Sequence, residues 1–161
     1  MNRSVESALR FINLTTSGLL AGSLGFGEAA LVPGWEQEQS IRTERDEKAS
    51  VQQQKYFNSI GPLALASSVT LAIGAGNHGA LRRTLDVVST LSLAGVLAST
   101  VFVTVPINKK IETTAPVDYP SQDSYAMQKN FGRAHALRTA LGISAFLCAV
   151  ISNVTTPERS R

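Results

Sequence analysis

The stretch LDVVSTLSLAGVLASTVFVTVPIN, from Leu85 to Asn108, carries no charged side chain after Asp86. Its other polar residues are serines, threonines and the closing asparagine, so no charged face can be drawn on a helix of this composition. Its length suits the roughly 20 apolar residues with which a helix crosses a hydrocarbon core of about 30 Å. The stretch therefore predicts a transmembrane helix.

Similar intervals recur along the chain. Charged side chains are missing for 17 or more residues in Phe11–Gly27, Tyr56–Asn77, Val87–Asn108 and Thr139–Pro157. Charged residues make up 17% of the 161 residues, against roughly 25% in soluble domains. A soluble bundle would need a charged face on each helix, which disfavours that class. The sequence predicts an all-α fold, a four-helix transmembrane bundle in which residues 1–161 form one integral, multi-pass domain in a lipid bilayer.

The four helices are expected over about Val5–Val32, Gln54–Gly76, Leu81–Lys110 and Asn130–Asn153. Two longer polar loops, 34–53 and 112–129, and one short turn connect them. Alternating spans make neighbouring helices antiparallel and place both longer loops on one membrane face. Polar residues from the ends of all four helices should therefore converge at that face.

His135 and Arg138 are three residues apart where the fourth apolar segment begins, so they share a helical face. Arg138 lies deeper than the charge boundary requires, and ionisable groups at depth usually face the bundle interior. Arg133 falls on another side of the helix and is expected to anchor it at the interface. A histidine beside an arginine stays neutral near pH 7, which is the state a general base needs.

Two further polar residues approach the same face. Pro106 removes the usual hydrogen-bond donor to the Phe102 carbonyl and should loosen the end of the third helix. Asn108 then either ends that helix or presents its amide to a developing oxyanion. Glu28 lies close to the apolar core, where it either forms a structural ion pair, with Arg138 as the partner by depth, or relays a proton.

Several classes of site are disfavoured. The two histidines, His78 and His135, lie on opposite faces, so one chain cannot build a metal site on two or three histidines. The glycines of AIGAGNHG do not follow the dinucleotide-binding pattern. The run EQEQSIRTERDEK mixes both signs of charge, whereas a nucleic-acid patch would be one-signed. No metal, no other cofactor and no nucleic-acid partner are predicted.

Three segments carry a family resemblance: KYFNSIGPLALAS (55–67), VPINKKIE (105–112) and FGRAHALRTAL (131–141). With the four spans, they resemble the anthrone oxygenase-like membrane proteins, a family long described only as a domain of unknown function. The resemblance extends from about Leu14 to Asn153. Members often have a tryptophan ahead of the histidine, where this chain has Phe131.

The resemblance implies an enzyme that oxidises anthrones to anthraquinones, in aromatic polyketide pathways of secondary metabolism, with dioxygen and without metal or flavin. Carried over, His135, Arg138 and Asn108 would form the catalytic site. His135 would take the acidic C–H proton, Asn108 and Arg138 would hold the enolate oxygen, and Glu28 would pass the proton outward. A flat, lipophilic aromatic substrate would enter from the bilayer.

The predicted substrate-binding residues lie at the same face: Trp35, Tyr56, Asn58 and Phe131. A pocket lined by these aromatic residues above His135 would favour the enzyme. A polar cluster sealed by mutual hydrogen bonds would favour a non-catalytic membrane subunit or scaffold. A transporter or channel-like homo-oligomer should spread polar groups through the membrane depth, whereas this sequence is expected to concentrate them at one face.

Overall fold

The computed structural model describes residues 1–31, 44–74, 79–113 and 122–155. Helix α1 is Arg3–Phe26 and continues as a π-helical turn, Gly27–Leu31. Helix α2 is Glu44–Gly74. Helix α3 joins Ala80–Ser99, a π-helical segment Thr100–Thr104 and Val105–Thr113. Helix α4 is Gln122–Val154. These residues contain no strand, and the predicted all-α, four-helix bundle is confirmed.

The four helices form a closed ring in which each packs against two others. Helix α1 contacts α2 and α4, and α3 contacts the same two helices. Hydrogen bonds join α1 to α4 at Leu24 and His135 near one end and at Arg10 and Ser152 near the other. Since Arg10 precedes Leu24 while Ser152 follows His135, these two helices are antiparallel, as the sequence predicted for neighbours.

Three helices extend beyond the bounds predicted from charge. Helix α2 starts at Glu44 and α4 at Gln122, both inside the predicted loops 34–53 and 112–129, and α3 reaches Thr113. The predicted loops were therefore too long. The start of α2 is rich in Glu, Lys, Ala and Gln, which are good helix formers. An interval without charge measures the part of a helix that suits a bilayer, not the whole helix.

An apolar layer contributed by all four helices forms the core. Its buried members are Leu20, Leu24, Ala64, Leu93, Val96 and Ala145. The helices approach closely where α1 meets α4, because a β-carbon on Gly142 would lie only 2.9 Å from Cδ1 of Leu24. Small residues at such contacts are typical of helices that pack in lipid. Each end of the bundle beyond this layer carries its own polar cluster.

Three helical segments are long and apolar enough to cross a membrane, by length and composition: Lys55–Gly74, Ala80–Ile107 and Lys129–Val154. Large apolar side chains on these segments, among them Ile73, Leu91 and Phe102, are mostly exposed, which indicates a lipid environment. Helix α1 is not among the three. That all four helices cross the membrane, and that residues 1–161 form one domain, both stay predictions.

Helix α3 widens immediately before Pro106. Residues Thr100–Thr104 are π-helical, and the N–H of Val105 bonds to the carbonyl of Thr100. Proline has no N–H, so the regular α-helical ladder is interrupted there, and such interruptions are a usual site of π-helical bulges and bends. The loosening of α3 that the sequence predicted therefore takes the form of a π-helical segment. The helix nevertheless continues to Thr113, so Asn108 does not end it.

Candidate functional site

Helix α4 meets both π-helical segments at one end of the bundle, through His135 and Arg138. His135 and Arg138 lie on the buried face of α4, with exposed fractions of 4% and 6%, whereas Arg133 is exposed. π-helical turns are uncommon in proteins, and a large share of those that occur lie at functional sites. We call Glu28, Thr100, Thr104, His135 and Arg138 the His135 cluster.

Both ring nitrogens of His135 are engaged. Nη2 of Arg138 donates to Nδ1 at 2.6 Å, because a guanidinium has donors only. Nε2 lies 3.2 Å from the carbonyl oxygen of Leu24, which can only accept, so Nε2 carries the hydrogen. The ring is therefore the neutral Nε2–H tautomer, and its lone pair points at Arg138.

Arg138 is a buried cation without a carboxylate partner among the described residues. It donates to His135 and, at 3.4 Å, to Oγ1 of Thr100, and both of these acceptors are neutral. Its Nε is buried with no hydrogen-bond partner in the described part of the chain. A buried charge is stable only when it is paired and hydrogen-bonded. The guanidinium can thus still bind an anionic or strongly polarised oxygen.

Glu28 reaches the cluster from the π-helical turn of α1. Its Oε2 lies 3.9 Å from Nε2 of His135, too far for a hydrogen bond, and has no hydrogen-bond partner among the described residues. The predicted pair of Glu28 with Arg138 is not formed. The imidazole of His135 lies between the two groups, since it contacts Glu28 with Nε2 and Arg138 with Nδ1.

The end of α1 is shaped to receive the imidazole. A β-carbon on Gly27 would lie 2.7 Å from Nε2 of His135, a distance that real β-carbons do not show, so only glycine fits there with the ring in place. The carbonyl of Leu24 accepts from His135 and, at 3.3 Å, from Oγ1 of Thr139. Two side chains of α4 are thus tied to one carbonyl of α1, which fixes the orientation of His135.

We include Thr104, which the sequence analysis missed, in the His135 cluster because it lies about one helical turn after Thr100. Its side chain is buried on the π-helical segment of α3, and its Oγ1 has no hydrogen-bond partner among the described residues. Thr104 lies four residues after Thr100, the residue that Arg138 contacts. The available signal was the pattern TVFVTVP, with two threonines about one turn apart just before Pro106.

The structure brings Phe131 to the cluster but not every other predicted substrate-binding residue. The ring of Phe131 lies nearly parallel to that of His135, at 8° with centroids 6.2 Å apart. The hydroxyl of Tyr56 instead donates to the carbonyl of Leu19 at 3.3 Å. Asn58 is exposed on the outside of α2. Trp35 and the side chain of Asn108 lie outside the described part of the structure.

A second polar cluster, the Asp86 cluster, lies at the opposite end of the bundle. Arg10 donates to both carboxylate oxygens of Asp86 at 3.2 and 3.4 Å, and to Oγ of Ser152 at 3.1 Å. Ser152 donates to Asp86 at 2.6 Å. Glu6 pairs with Arg10 at 2.9 Å and with Arg82 at 3.1 Å. Two cations and two anions thus balance across α1 and α3, and Ser152 connects them to α4.

The expectation that polar groups concentrate at one face is therefore wrong. Arg10 and Asp86 flank apolar intervals, which made them resemble boundary markers, but the structure buries both. Buried polar residues continue inward from them, including Asn13, Ser17 and Ser89. Along α1 and α3, the apolar layer then separates these buried polar residues from the His135 cluster.

Metal ligation finds no support in the described residues. Within 1–31, 44–74, 79–113 and 122–155, no group of three or more His, Cys, Asp or Glu side chains could hold a metal ion. His78 lies outside these ranges. The expectation that the protein uses no metal or other cofactor stays a prediction.

Comparison with known proteins identifies the family. The family model described as anthrone oxygenase matches residues 50–148, more than half of the chain. No curated protein and no solved structure matches significantly. His135, Arg138 and Thr104 lie inside the matched region, whereas Glu28 and Trp35 precede it. By the extent of this match, the chain belongs to the anthrone oxygenase family, which supports an oxygenase-like role at the level of the family.

Proposed function

We propose that this protein oxidises an anthrone-like aromatic polyketide to a quinone with dioxygen and without a metal or other cofactor. The observation that carries the proposal is the buried guanidinium of Arg138, which has neutral partners and an Nε without an acceptor among the described residues. Burying a cation in this way is costly unless an anion joins it. An enolate is the anion that anthrone oxidation generates.

The overall reaction balances without a further reactant: one anthrone and one dioxygen give one anthraquinone and one water. Removal of a proton from the acidic CH₂ leaves its electron pair delocalised onto the carbonyl oxygen. This enolate reduces dioxygen, a carbon–oxygen bond forms, and the resulting peroxide anion takes up one proton to give a hydroperoxide. Loss of water then breaks the O–O bond and the remaining C–H bond, which creates the second carbonyl. The protein must supply a base and donors for the enolate oxygen.

Arg138 and Thr104 are the donors that we assign to the enolate oxygen. Both have a buried polar atom with no partner in the described structure, and such atoms in native proteins call for an explanation. Asn108, on the turn of α3 after Thr104, remains a third candidate donor. Donors held in place in a low-dielectric site stabilise a developing negative charge more strongly than water does.

The apolar surroundings suit a flat, lipophilic substrate. The ring of Phe131 lies nearly parallel to that of His135, and parallel aromatic rings are suited to stacking with a flat aromatic ring system. The exposed apolar side chains of the helices support a lipid environment around the bundle, and the bilayer is the route by which we propose that such a substrate enters. Phe131 is the substrate-binding candidate that we retain from the aromatic residues predicted at this end.

Oxygen consumption by the purified protein in lipid nanodiscs, with anthrone as the substrate, tests the proposal. Arg138→Gln should lower uptake about a hundred-fold, in line with loss of an oxyanion donor. Arg133→Gln is the matched control, because it removes an exposed arginine from the same helix, and it should retain uptake. A chelator should change neither rate. Quinone should form in a one-to-one ratio to oxygen consumed.

A non-catalytic membrane subunit or scaffold is the alternative. It predicts that the wild-type protein consumes no oxygen with anthrone or its hydroxylated derivatives. It also predicts that Arg138→Gln acts only through the free energy of unfolding. Thermal unfolding followed by circular dichroism, measured on the same nanodisc samples, separates the two: lost uptake with an unchanged melting temperature supports the oxygenase.

A further inference from the structure

We infer that Glu28 removes the substrate proton and that His135 is a positioning residue, which holds Arg138 and separates the base from the oxyanion donor. The inference rests on the proposed function and deepens it, because it reverses the roles that the family resemblance implies for these two side chains. Glu28 lies outside the region that matches the family. The assignment therefore comes from the contacts of this chain.

The hydrogen bonds of His135 leave it no free basic nitrogen. Its lone pair on Nδ1 accepts from Arg138 at 2.6 Å, and its Nε2–H faces the Leu24 carbonyl at 3.2 Å. To act as a base, the ring would have to give up Arg138. It would then carry a positive charge next to the guanidinium, in a site with little water to screen the repulsion.

Glu28 has the features that His135 lacks. Its Oε2 has no hydrogen-bond partner in the described structure, so its lone pairs are free to accept a proton. Its Oε2 is buried beside His135. The side chain as a whole is nevertheless 37% exposed, against 5% for that of His135, so a substrate would approach the carboxylate from its exposed side. The same partial exposure allows the proton to pass on to water at this end of the bundle.

The charge balance also favours Glu28. When Glu28 takes the proton, its negative charge moves to the enolate, where it directly compensates the buried Arg138. The number of charges in the site stays the same. With His135 as the base, an imidazolium and an enolate would be added to the existing carboxylate and guanidinium. Creating two extra charges in a low-dielectric site is the costlier path.

The spacing of the groups matches the substrate class. Glu28 lies 3.9 Å from one nitrogen of the imidazole and Arg138 lies 2.6 Å from the other. The two groups are thus separated by one ring and a non-bonded contact on each side of it. In an anthrone, the acidic CH₂ and the carbonyl stand at opposite positions of the central ring. A substrate lying along the imidazole and Phe131 would therefore present its CH₂ to Glu28 and its oxygen to Arg138.

The decisive experiment follows the proton without oxygen. In anaerobic deuterated buffer, wild-type protein in nanodiscs should catalyse exchange of the CH₂ protons of anthrone, measured by NMR. We expect Glu28→Gln to lower this rate about a hundred-fold, the usual share of a general base. Glu28→Asp should retain part of it. His135→Asn keeps an acceptor near the position of Nδ1 but has no basic nitrogen, and it should stay within about ten-fold of wild type.

Chemical rescue supplies a readout that a structural role would not change. Acetate should restore exchange by Glu28→Ala in proportion to its concentration, whereas chloride at equal ionic strength should not. The inference is overturned if His135→Asn abolishes exchange while Glu28→Gln retains it, or if acetate has no effect on Glu28→Ala that still folds by circular dichroism.

The two proposals fail in different ways. Exchange by the wild type without oxygen uptake would contradict the oxygenase function and leave the base assignment standing. Oxygen uptake that survives Glu28→Gln would contradict only the base assignment. A wild-type protein that shows neither exchange nor uptake with anthrone would contradict both.

Discussion

Gly27 and His135 occupy adjoining space so closely that a β-carbon on the glycine would lie 2.7 Å from Nε2 of the imidazole. This contact joins the π-helical turn of α1 to the buried face of α4. It couples the placement of Glu28, the next residue along the chain, to the orientation of His135. The geometry of the proposed base and of the proposed oxyanion donor thus depends on a position that offers no chemistry of its own.

Gly27→Ala should therefore impair turnover by displacing the imidazole from Leu24 and Arg138. We expect kcat for anthrone oxidation to fall about ten-fold or more, since small displacements of catalytic groups are costly. Gly25→Ala is the control, because a β-carbon there meets nothing within 4 Å. Equal activity of the two variants would mean that the contact does not position the site.

Thr104→Val should lower activity toward the substrate without lowering the stability of the folded protein. Valine keeps the shape of threonine but removes a hydroxyl that is buried without a partner among the described residues. We expect kcat/KM to fall about ten- to a hundred-fold, the effect of about 1–3 kcal/mol, while the melting temperature stays equal or rises. Thr70→Val is the control, because Thr70 is exposed and bonds only to its own helix. A large loss of stability for Thr104→Val would instead indicate a structural hydroxyl.

Asp86→Ala should act on stability and not on chemistry. It removes one of the two carboxylates that bond to Arg10 and leaves Glu6 as the other. Breaking a buried ion pair costs about 3–5 kcal/mol, and we expect a loss near the lower end because Glu6 remains. Circular dichroism melts in nanodiscs should show the loss, while oxygen uptake per folded molecule should not change. The paired replacement Arg10→Met with Asp86→Leu should recover much of the stability. No recovery would show that the ionic pair contributes more than packing can replace.

Leu91→Arg should report on the lipid environment. Leu91 is 67% exposed and lies within the apolar segment Ala80–Ile107. An arginine at the centre of a membrane helix costs about 2.5–3.5 kcal/mol on insertion scales, so less protein should remain in carbonate-washed membranes. Leu91→Phe should insert normally. Full recovery of the arginine variant in the membrane fraction would contradict a lipid-facing surface for α3.

The sequence was sufficient for the helices and for the family. Four charge-free intervals predicted the four helices, and three short segments suggested the anthrone oxygenase family, which the match over residues 50–148 confirms. The helix ends were less predictable, because charge marks what suits a bilayer and not where a helix stops. Glu44 and Gln122 begin their helices in polar sequence for that reason.

The contacts within the two polar clusters do not follow from the sequence, and the reasons are physical. A spacing of three residues places His135 and Arg138 on one face, but it does not say which nitrogen faces which group. The predicted ion pair between Glu28 and Arg138 does not form, because the imidazole of His135 lies between the two side chains. Arg10 and Asp86 are 76 residues apart, and only the ring order of the helices shows that they meet.

The Asp86 cluster has a consequence for how the protein is made. Helix α1 is not among the three segments that are apolar enough to cross a membrane. Its Arg10 pairs with Glu6 on the same helix but also bonds to Asp86 on α3 and Ser152 on α4. A ribosome synthesises α1 long before those partners exist. The first helix would therefore wait at the membrane surface, or beside an insertion factor, until the last helix emerges. Biogenesis of this bundle would then be completed only after translation has passed Ser152.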